Sequence, residues 1–508
     1  MLRGLVALAA ALACVVAQGA ATAYAQSSPP SLRLHAGSSS ATIHRYGRQV
    51  PLDLPVFVAS SGGDFQLNVF RPDYDSPRMV NQVDSQTGAV LRTLPREILQ
   101  GWRGLKDFMR VGLRTRDGRL VAWRTLDFCP NSGGSGQRVN DDGPPFSRYP
   151  FYCGAGSPFT RGMVWGIDEG WAVSALGSGE YGKEYGSKFG YKGEPVEDKR
   201  FIRVPNGRYV ATVRILPRYA QLFGLTPEAS QVTVAVRITG EIPKGSPGEP
   251  VPIDGDGSGM GRATAGQAGS DPVPTVENPD PSTLPDLVAT PAWQVRLMRQ
   301  RGGREFLGFA ATPWNAGPAP IVVEGFRKPT EDLMDAYQYF LDANAEVVGR
   351  THVGSMEYDH RRGHEHWHFL QFSSYVLLDA NRQEVVRSRK QAFCLAPTDA
   401  IDLTLGRTNL TPSHIGFGGS VCGGLNAIWV REQLDVGWGD TYYQGVPGQS
   451  FEVTNLPNGR YYIRIDVNPQ GVLKEASMAN NTEFRTVDIV GPKGKRRAVM
   501  HAWHSIRQ

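Results

Sequence analysis

The chain has 508 residues, 40% of them hydrophobic, and a net charge of +5. That length exceeds one ordinary domain, and so small a charge excess gives no reason to expect a nucleic-acid partner. Glycine (59) and proline (36) punctuate short strand-like runs, which points to an all-β class.

The first 25 residues have the pattern of a secretory signal peptide. Arg3 supplies a positive end, "GLVALAAALACVVA" an apolar run, and Ala23-Tyr24-Ala25 a small-x-small cleavage site. No later run is long and apolar enough for a membrane span. The expectation is a secreted, extracellular protein without a span. Removing the leader removes Cys14 and leaves Cys129, Cys153, Cys394 and Cys422. An even number of cysteines in an exported chain implies disulfides.

Residues 26–243 form the first expected domain. "DGRLVAWRTLDFCP" carries Cys129, and "VPNGRYVATVRILPRYAQLF" (204–223) places a Pro-Asn-Gly turn before an alternating strand. Residues 244–285 are dense in Gly, Pro, Ser and Asp and predict a flexible linker. Residues 286–491 repeat the first domain's signals. "NRQEVVRSRKQAFCL" again ends Phe-Cys, and "LPNGRYYIRIDVNPQGVLKE" (456–475) again follows Pro-Asn-Gly with alternation. The reading is two related β-sandwich-like domains with long loops. Such a repeat pairs its cysteines internally, 129 with 153 and 394 with 422. Each bridge stabilises by about 3–4 kcal/mol on the loop-entropy model. Residues 492–508 read as a basic, solvated tail.

The copies differ where chemistry would sit. In "GHEHWHF", His364, His366 and His368 alternate, so on a strand they share one face. Counted from the first cysteine of each half, they fall opposite Leu99, Gly101 and Arg103. Lys390 falls opposite Thr125, and Tyr442 near Ala175. Three imidazoles on one face make a metal site, and imidazole suits Zn, Cu, Fe and Ni. His352 and His360 suit outer or surface roles better than direct ligation.

"GHEHWHFLQFSSYVLLDANRQEVVRSRKQAFC", "GWGDTYYQGVPGQSFEV" and "LPNGRYYIRIDVNPQGVLKEASMANNTEF" together resemble the catalytic domain of the lysyl oxidases. The resemblance runs from about Leu284 to Val490, which makes residues 26–243 a degenerate, non-catalytic copy. It implies copper held by His364, His366 and His368. It also implies a self-derived cofactor, lysine tyrosylquinone, built from Lys390 of Lys-x-x-Phe-Cys and Tyr442 of Asp-Thr-Tyr. The implied reaction uses molecular oxygen to deaminate primary amines, protein lysine side chains among them, to aldehydes, with release of hydrogen peroxide and ammonia. Asp440 and Asp379 lie in the right segments for a catalytic base, and the sequence assigns neither. Tyr443 is a rival to its neighbour.

The sequence departs from the animal pattern in two places. Gly363 stands where a cysteine precedes the triplet, and Trp438 and its neighbours replace further cysteines near the tyrosine. The rival reading is a secreted copper-binding or adhesion module without turnover. A cupin-like dioxygenase would need a glutamate shortly after the histidines, and "HFLQFSSY" has none.

Overall fold

The strand Gly459–Val467 buries Tyr461, Ile463, Ile465 and Val467 and turns the intervening residues outward. Gly207–Ile215 does the same with Tyr209, Ala211, Val213 and Ile215. This period of two puts one apolar face on a core and one polar face in water. Each strand is anchored at its start in the same way. The Tyr461 hydroxyl donates to Pro457 O (2.7 Å) and the Tyr209 hydroxyl to Pro205 O (2.9 Å), so each Pro-Asn-Gly turn is tied to the strand it launches.

The computed structural model describes residues 29–131, 136–140, 143–176, 201–240, 273–300, 302–361, 365–388, 390, 392–412, 422–446 and 448–503. The expected leader, most of the expected linker and His364 lie outside these residues. The described chain is nearly all β, as its turn-rich composition implied, with two short helices, Pro217–Phe223 and Pro227–Ser230. No described helix is long and apolar enough to cross a membrane.

Strand order is alike in the two halves. In the first, a four-stranded sheet runs Gly162–Ile167, Phe65–Phe70, Met79–Val83, Val90–Leu94. In the second, Trp429–Leu434, Ile321–Phe326, Leu333–Leu341 and Val347–Asp359 follow the same order, and His366–Leu370 and Ala392–Phe393 extend it. A second sheet runs Gln231–Thr239, Gly207–Ile215, Leu105–Thr115, Leu120–Phe128. Its counterpart runs Thr482–Val490, Gly459–Val467, Ser373–Leu378, Glu384–Arg387. In the second half these sheets meet through aromatic contacts. Phe393 of the extended sheet lies 5.4 Å from Phe372 and 5.9 Å from Tyr375, ring centre to ring centre. Disulfides join Cys129 to Cys153 and Cys394 to Cys422, each within its own half as expected.

The halves touch through backbone. The Gly162 amide donates to Ile401 O (3.0 Å), and the Leu403 amide donates back to Gly162 O (3.0 Å). A Cβ on Gly162 would fall 2.1 Å from Asp402 Oδ1, so glycine is what allows the approach. Beside this bridge Phe159, Trp293 and Ala310 form a buried cluster with Tyr74, Tyr443 and Trp503 against it.

The basic tail differs from the solvated end expected. Arg497–Met500 adds an edge strand to Thr482–Val490. The Arg496 guanidinium is buried against Glu305 at 2.6 Å and donates to Val453 O (2.6 Å) and Leu456 O (2.5 Å). A buried arginine needs such a set of acceptors. Trp503 then packs 5.1 Å from Phe159 of the other half. Charge density alone hides these contacts, since the carboxylate lies 191 residues earlier.

Candidate functional site

The strand His366–Leu370 is bonded to Val347–Asp359 on one side and Ala392–Phe393 on the other. His366 and His368 share a face, as alternation requires, and their ring centres lie 4.5 Å apart. His368 is buried and His366 half-buried. Burial and the nearby Lys390 lower the basicity of His366. Trp367 faces the opposite side and locks the strand: its indole donates to Gly424 O (3.0 Å) beneath the Arg327 guanidinium. Asp359, opposite His366 in the ladder, is held at about 2 despite partial burial, by hydrogen bonds from Arg361. Among the described residues no three His, Cys, Asp or Glu converge on a metal-sized point. The two described histidines are the donors at hand, and the third member of the alternating set, His364, lies outside the described residues.

Lys390 and Tyr442 come together. The Lys390 ammonium nitrogen is buried, has no hydrogen-bond partner among the described residues, and sits 4.2 Å from the centre of the Tyr442 ring. It also lies 4.8 Å from the Phe393 ring. Burial pushes the amine down to about 8, against the opposing pull of Asp440. A lysine so placed is close to its neutral, nucleophilic form at mild alkaline pH.

Backbone chemistry fixes both partners. The Tyr442 hydroxyl donates to Cys394 O (2.9 Å) and accepts from the Cys394 amide (3.0 Å). Backbone bonds with Ala311 hold the tyrosine's own main chain (both 3.0 Å). Cys394 is tied to Cys422, whose carbonyl accepts from the Trp367 amide (3.0 Å). One disulfide therefore links the tyrosine clamp to the histidine strand. On the lysine side, the Ser388 hydroxyl accepts from the Lys390 amide (3.1 Å) and donates to Gly448 O (2.5 Å). Gly448 has φ +87°, and a Cβ there would meet the Lys390 Cβ at 2.6 Å. Only glycine fits that turn.

Two buried acids complete the site. Asp440 has its carboxyl raised well above the ordinary range, first by burial, and Lys390 opposes the shift. Its Oδ2 has no hydrogen-bond partner. Glu432 is likewise raised by burial, and one oxygen accepts from the Leu395 amide (3.0 Å). Burial and these two carboxyls raise the Tyr442 phenol well above its usual range.

The remaining sequence candidates lie elsewhere. Tyr443 packs on Trp293 (5.7 Å) rather than toward Lys390. Asp379 caps a hairpin turn by accepting from the Asn381 and Gln383 amides (both 2.9 Å). His352 is exposed near Asp335, and His360 is exposed beside Tyr358. Glu432 was missed, although a signal existed. In "WVREQL" the inward positions are Val430, Glu432 and Leu434, so alternation alone marks Glu432 as a charge on a buried face.

Comparison with known proteins points the same way. The Lysyl oxidase family model matches residues 422–493, a span that includes Asp440 and Tyr442 and follows the histidines and Lys390. Human protein-lysine 6-oxidase is 30% identical over 120 residues, covering 23% of this chain and 25% of its own. The pig protein-lysine 6-oxidase is 29% identical over 120 residues, covering 41% of its length. Human lysyl oxidase homolog 1 is 29% identical over 130 residues, 25% of this chain and 20% of its own. The match thus spans less than half of each relative. With the lysine and tyrosine of the motifs facing each other, the C-terminal half of this chain is similar to the lysyl oxidase family, the family model matching within it over residues 422–493.

Proposed function

We propose that this protein is an exported, copper-dependent amine oxidase. Its substrates are primary amines, protein lysine side chains among them, and its second substrate is molecular oxygen. The observation that carries the reading is the buried Lys390 amine, without a hydrogen-bond partner, 4.2 Å from the Tyr442 ring. An unpaired buried amine is costly to keep unless it has chemistry to do. Its distance suits covalent capture by the ring once that ring is oxidised.

His364, His366 and His368 would hold the copper, and the alternating imidazole set suits that ion. Bound there, copper would supply, with oxygen, the oxidising power to convert Tyr442 and Lys390 into a quinone that could serve as the electron sink for amine oxidation. The rest is the work of this chain. The Cys394 backbone holds the phenol oxygen, so the ring presents a fixed face to Lys390. Ser388 and Gly448 set the lysine backbone. Phe393 and Tyr375 wall the pocket against water. Asp440, whose Oδ2 lacks a hydrogen-bond partner among the described residues, would be the base for the proton on the carbon next to the substrate nitrogen. Residues 26–243 form a non-catalytic copy of the same framework, joined to residues 286–491 through the linker at 244–285.

Mass spectrometry of copper-loaded, aerobically matured protein tests this. The expected result is a crosslink between the Lys390 and Tyr442 peptides at the mass of the quinone, with peroxide released on adding a primary amine. Unmodified peptides despite bound copper would leave a copper-binding module without turnover.

A further inference from the structure

The outward face of the sheet Ser40–His44, Gln231–Thr239, Gly207–Ile215, Leu105–Thr115, Leu120–Phe128 carries five arginines. Arg110 and Arg114 stand on one strand, Arg208 and Arg214 on the next, and Arg237 on a third, all exposed. None forms an ion pair among the described residues. Arg114 donates to Gly118 O (2.8 Å), and Arg214 to the Gln231 amide oxygen (2.6 Å). Arg110 lies over the Trp123 ring at 4.9 Å. Two acids border the face: Asp127 accepts from the Asp107 amide (2.7 Å), and Asp117 accepts from the Thr115 hydroxyl in the hairpin turn.

The register sharpens the point. Arg110 sits directly opposite Arg214, and Arg208 directly opposite Arg237. Neighbouring strands lie about 4.8 Å apart, and like charges directly opposite destabilise a sheet. The other half solves the same problem differently. At the ladder position of Arg208–Arg237 it has Arg460–Asp488, bonded at 3.0 Å. At that of Arg214 it has Asp466, paired with Arg464 at 2.8 Å. One face is neutralised internally, and the other leaves its five arginines without an ion pair among the described residues.

We propose that this face binds an acidic polysaccharide, with uronate carboxylates seated on the paired guanidiniums. The planar guanidinium fork matches a planar carboxylate. The spacing offers pairs of cations side by side, suited to a polymer with regularly spaced anions. Trp123 is the one large aromatic exposed on the face, which is too few for the stacked platforms that hold single-stranded nucleic acid. A flat sheet face does not enter the groove of a duplex. The apolar side chains exposed on the face, Leu120, Trp123 and Val210, stand among the arginines rather than forming the charge-free centre of a protein interface.

The test uses the full chain with fluorescent polygalacturonate oligomers, neutral dextran of similar length, and short single-stranded DNA as probes. The expected result is binding to polygalacturonate alone, weakening as salt rises. Arg237→Asp rebuilds the pairing of the other half. It should cut affinity by about tenfold or more, raise the melting temperature, and leave peroxide release from a small amine unchanged. Arg110→Ser should weaken binding without unfolding the chain. The proposal is overturned by absent binding, by binding that both variants retain, by DNA bound as tightly as polygalacturonate, or by a melting temperature that falls in Arg237→Asp.

Discussion

The two halves share a framework and differ in what stands on it. Both have a tyrosine tying the Pro-Asn-Gly turn to its strand, both keep the same strand order, and both close a loop with one disulfide. Among the described residues, only the second extends its meander with His366–Leu370 and Ala392–Phe393, and only there does a buried lysine face a tyrosine ring. In the first half the chain between the last meander strand and Leu105–Thr115 makes a short 3-10 turn, Arg96–Ile98, instead. The lesson is that turns, alternation and a disulfide make the scaffold. The proposed chemistry rests on an added strand and three or four side chains.

The strongest way to break that comparison is to remove the added side chains. Arg is always charged and cannot serve as the neutral amine, so Lys390→Arg should abolish peroxide release. Tyr442→Phe keeps the ring but loses both hydrogen bonds to Cys394, and should do the same. Thr125→Lys, at the matching position of the first half, should leave peroxide release unchanged. Peroxide assays on copper-loaded protein separate these outcomes, and residual activity in Lys390→Arg would detach the chemistry from this pair.

The two disulfides provide a finer test. Replacing Cys129 and Cys153 by serine, or Cys394 and Cys422, should each cost about 3–4 kcal/mol on the loop-entropy model. Only the second pair should also lower the yield of the Lys390–Tyr442 crosslink, because Cys394 holds the phenol oxygen by its backbone. Equal crosslink yield in both double variants would mean that the clamp stands without its bridge. A smaller effect is expected at the junction. Phe159→Ala empties a buried aromatic site between the halves and should cost about 3 kcal/mol of stability. Faster proteolytic separation of the halves would report it.

Much of this was legible in the sequence because it is local. Pro-Asn-Gly turns, period-two strands, the cysteine pairing and the one-sided histidines follow from neighbouring residues. The meeting of Lys390 and Tyr442 was legible only through the resemblance of their motifs, since they are far apart along the chain. What escaped is long-range backbone: the Cys394 clamp, the turn at Gly448 that accommodates Lys390, the return of Arg496 to Glu305, and the bridge from Gly162 to Ile401. No pattern of side chains announces which carbonyl an amide will meet.

Glu432 marks the smallest difference between the halves and a measurable one. Its ladder position in the first half belongs to Trp165, buried, with the indole donating to Cys153 O (3.2 Å). A ring that cannot ionise there is a carboxyl here, and burial raises that carboxyl well above 4.5. The folded state therefore holds its proton more tightly than the unfolded chain. This contribution is fully present below the unfolded value and is lost as pH rises toward the folded one, at about 1.4 kcal/mol per pH unit. Glu432→Gln keeps the acceptor for the Leu395 amide and cannot ionise. It should cost about 1 kcal/mol or less in acid and gain on the parent as pH rises, so the two melting curves converge or cross. Parallel curves from pH 5 to 9 would mean that Glu432 is ionised in the fold, and that the neighbouring amides rather than a proton satisfy it.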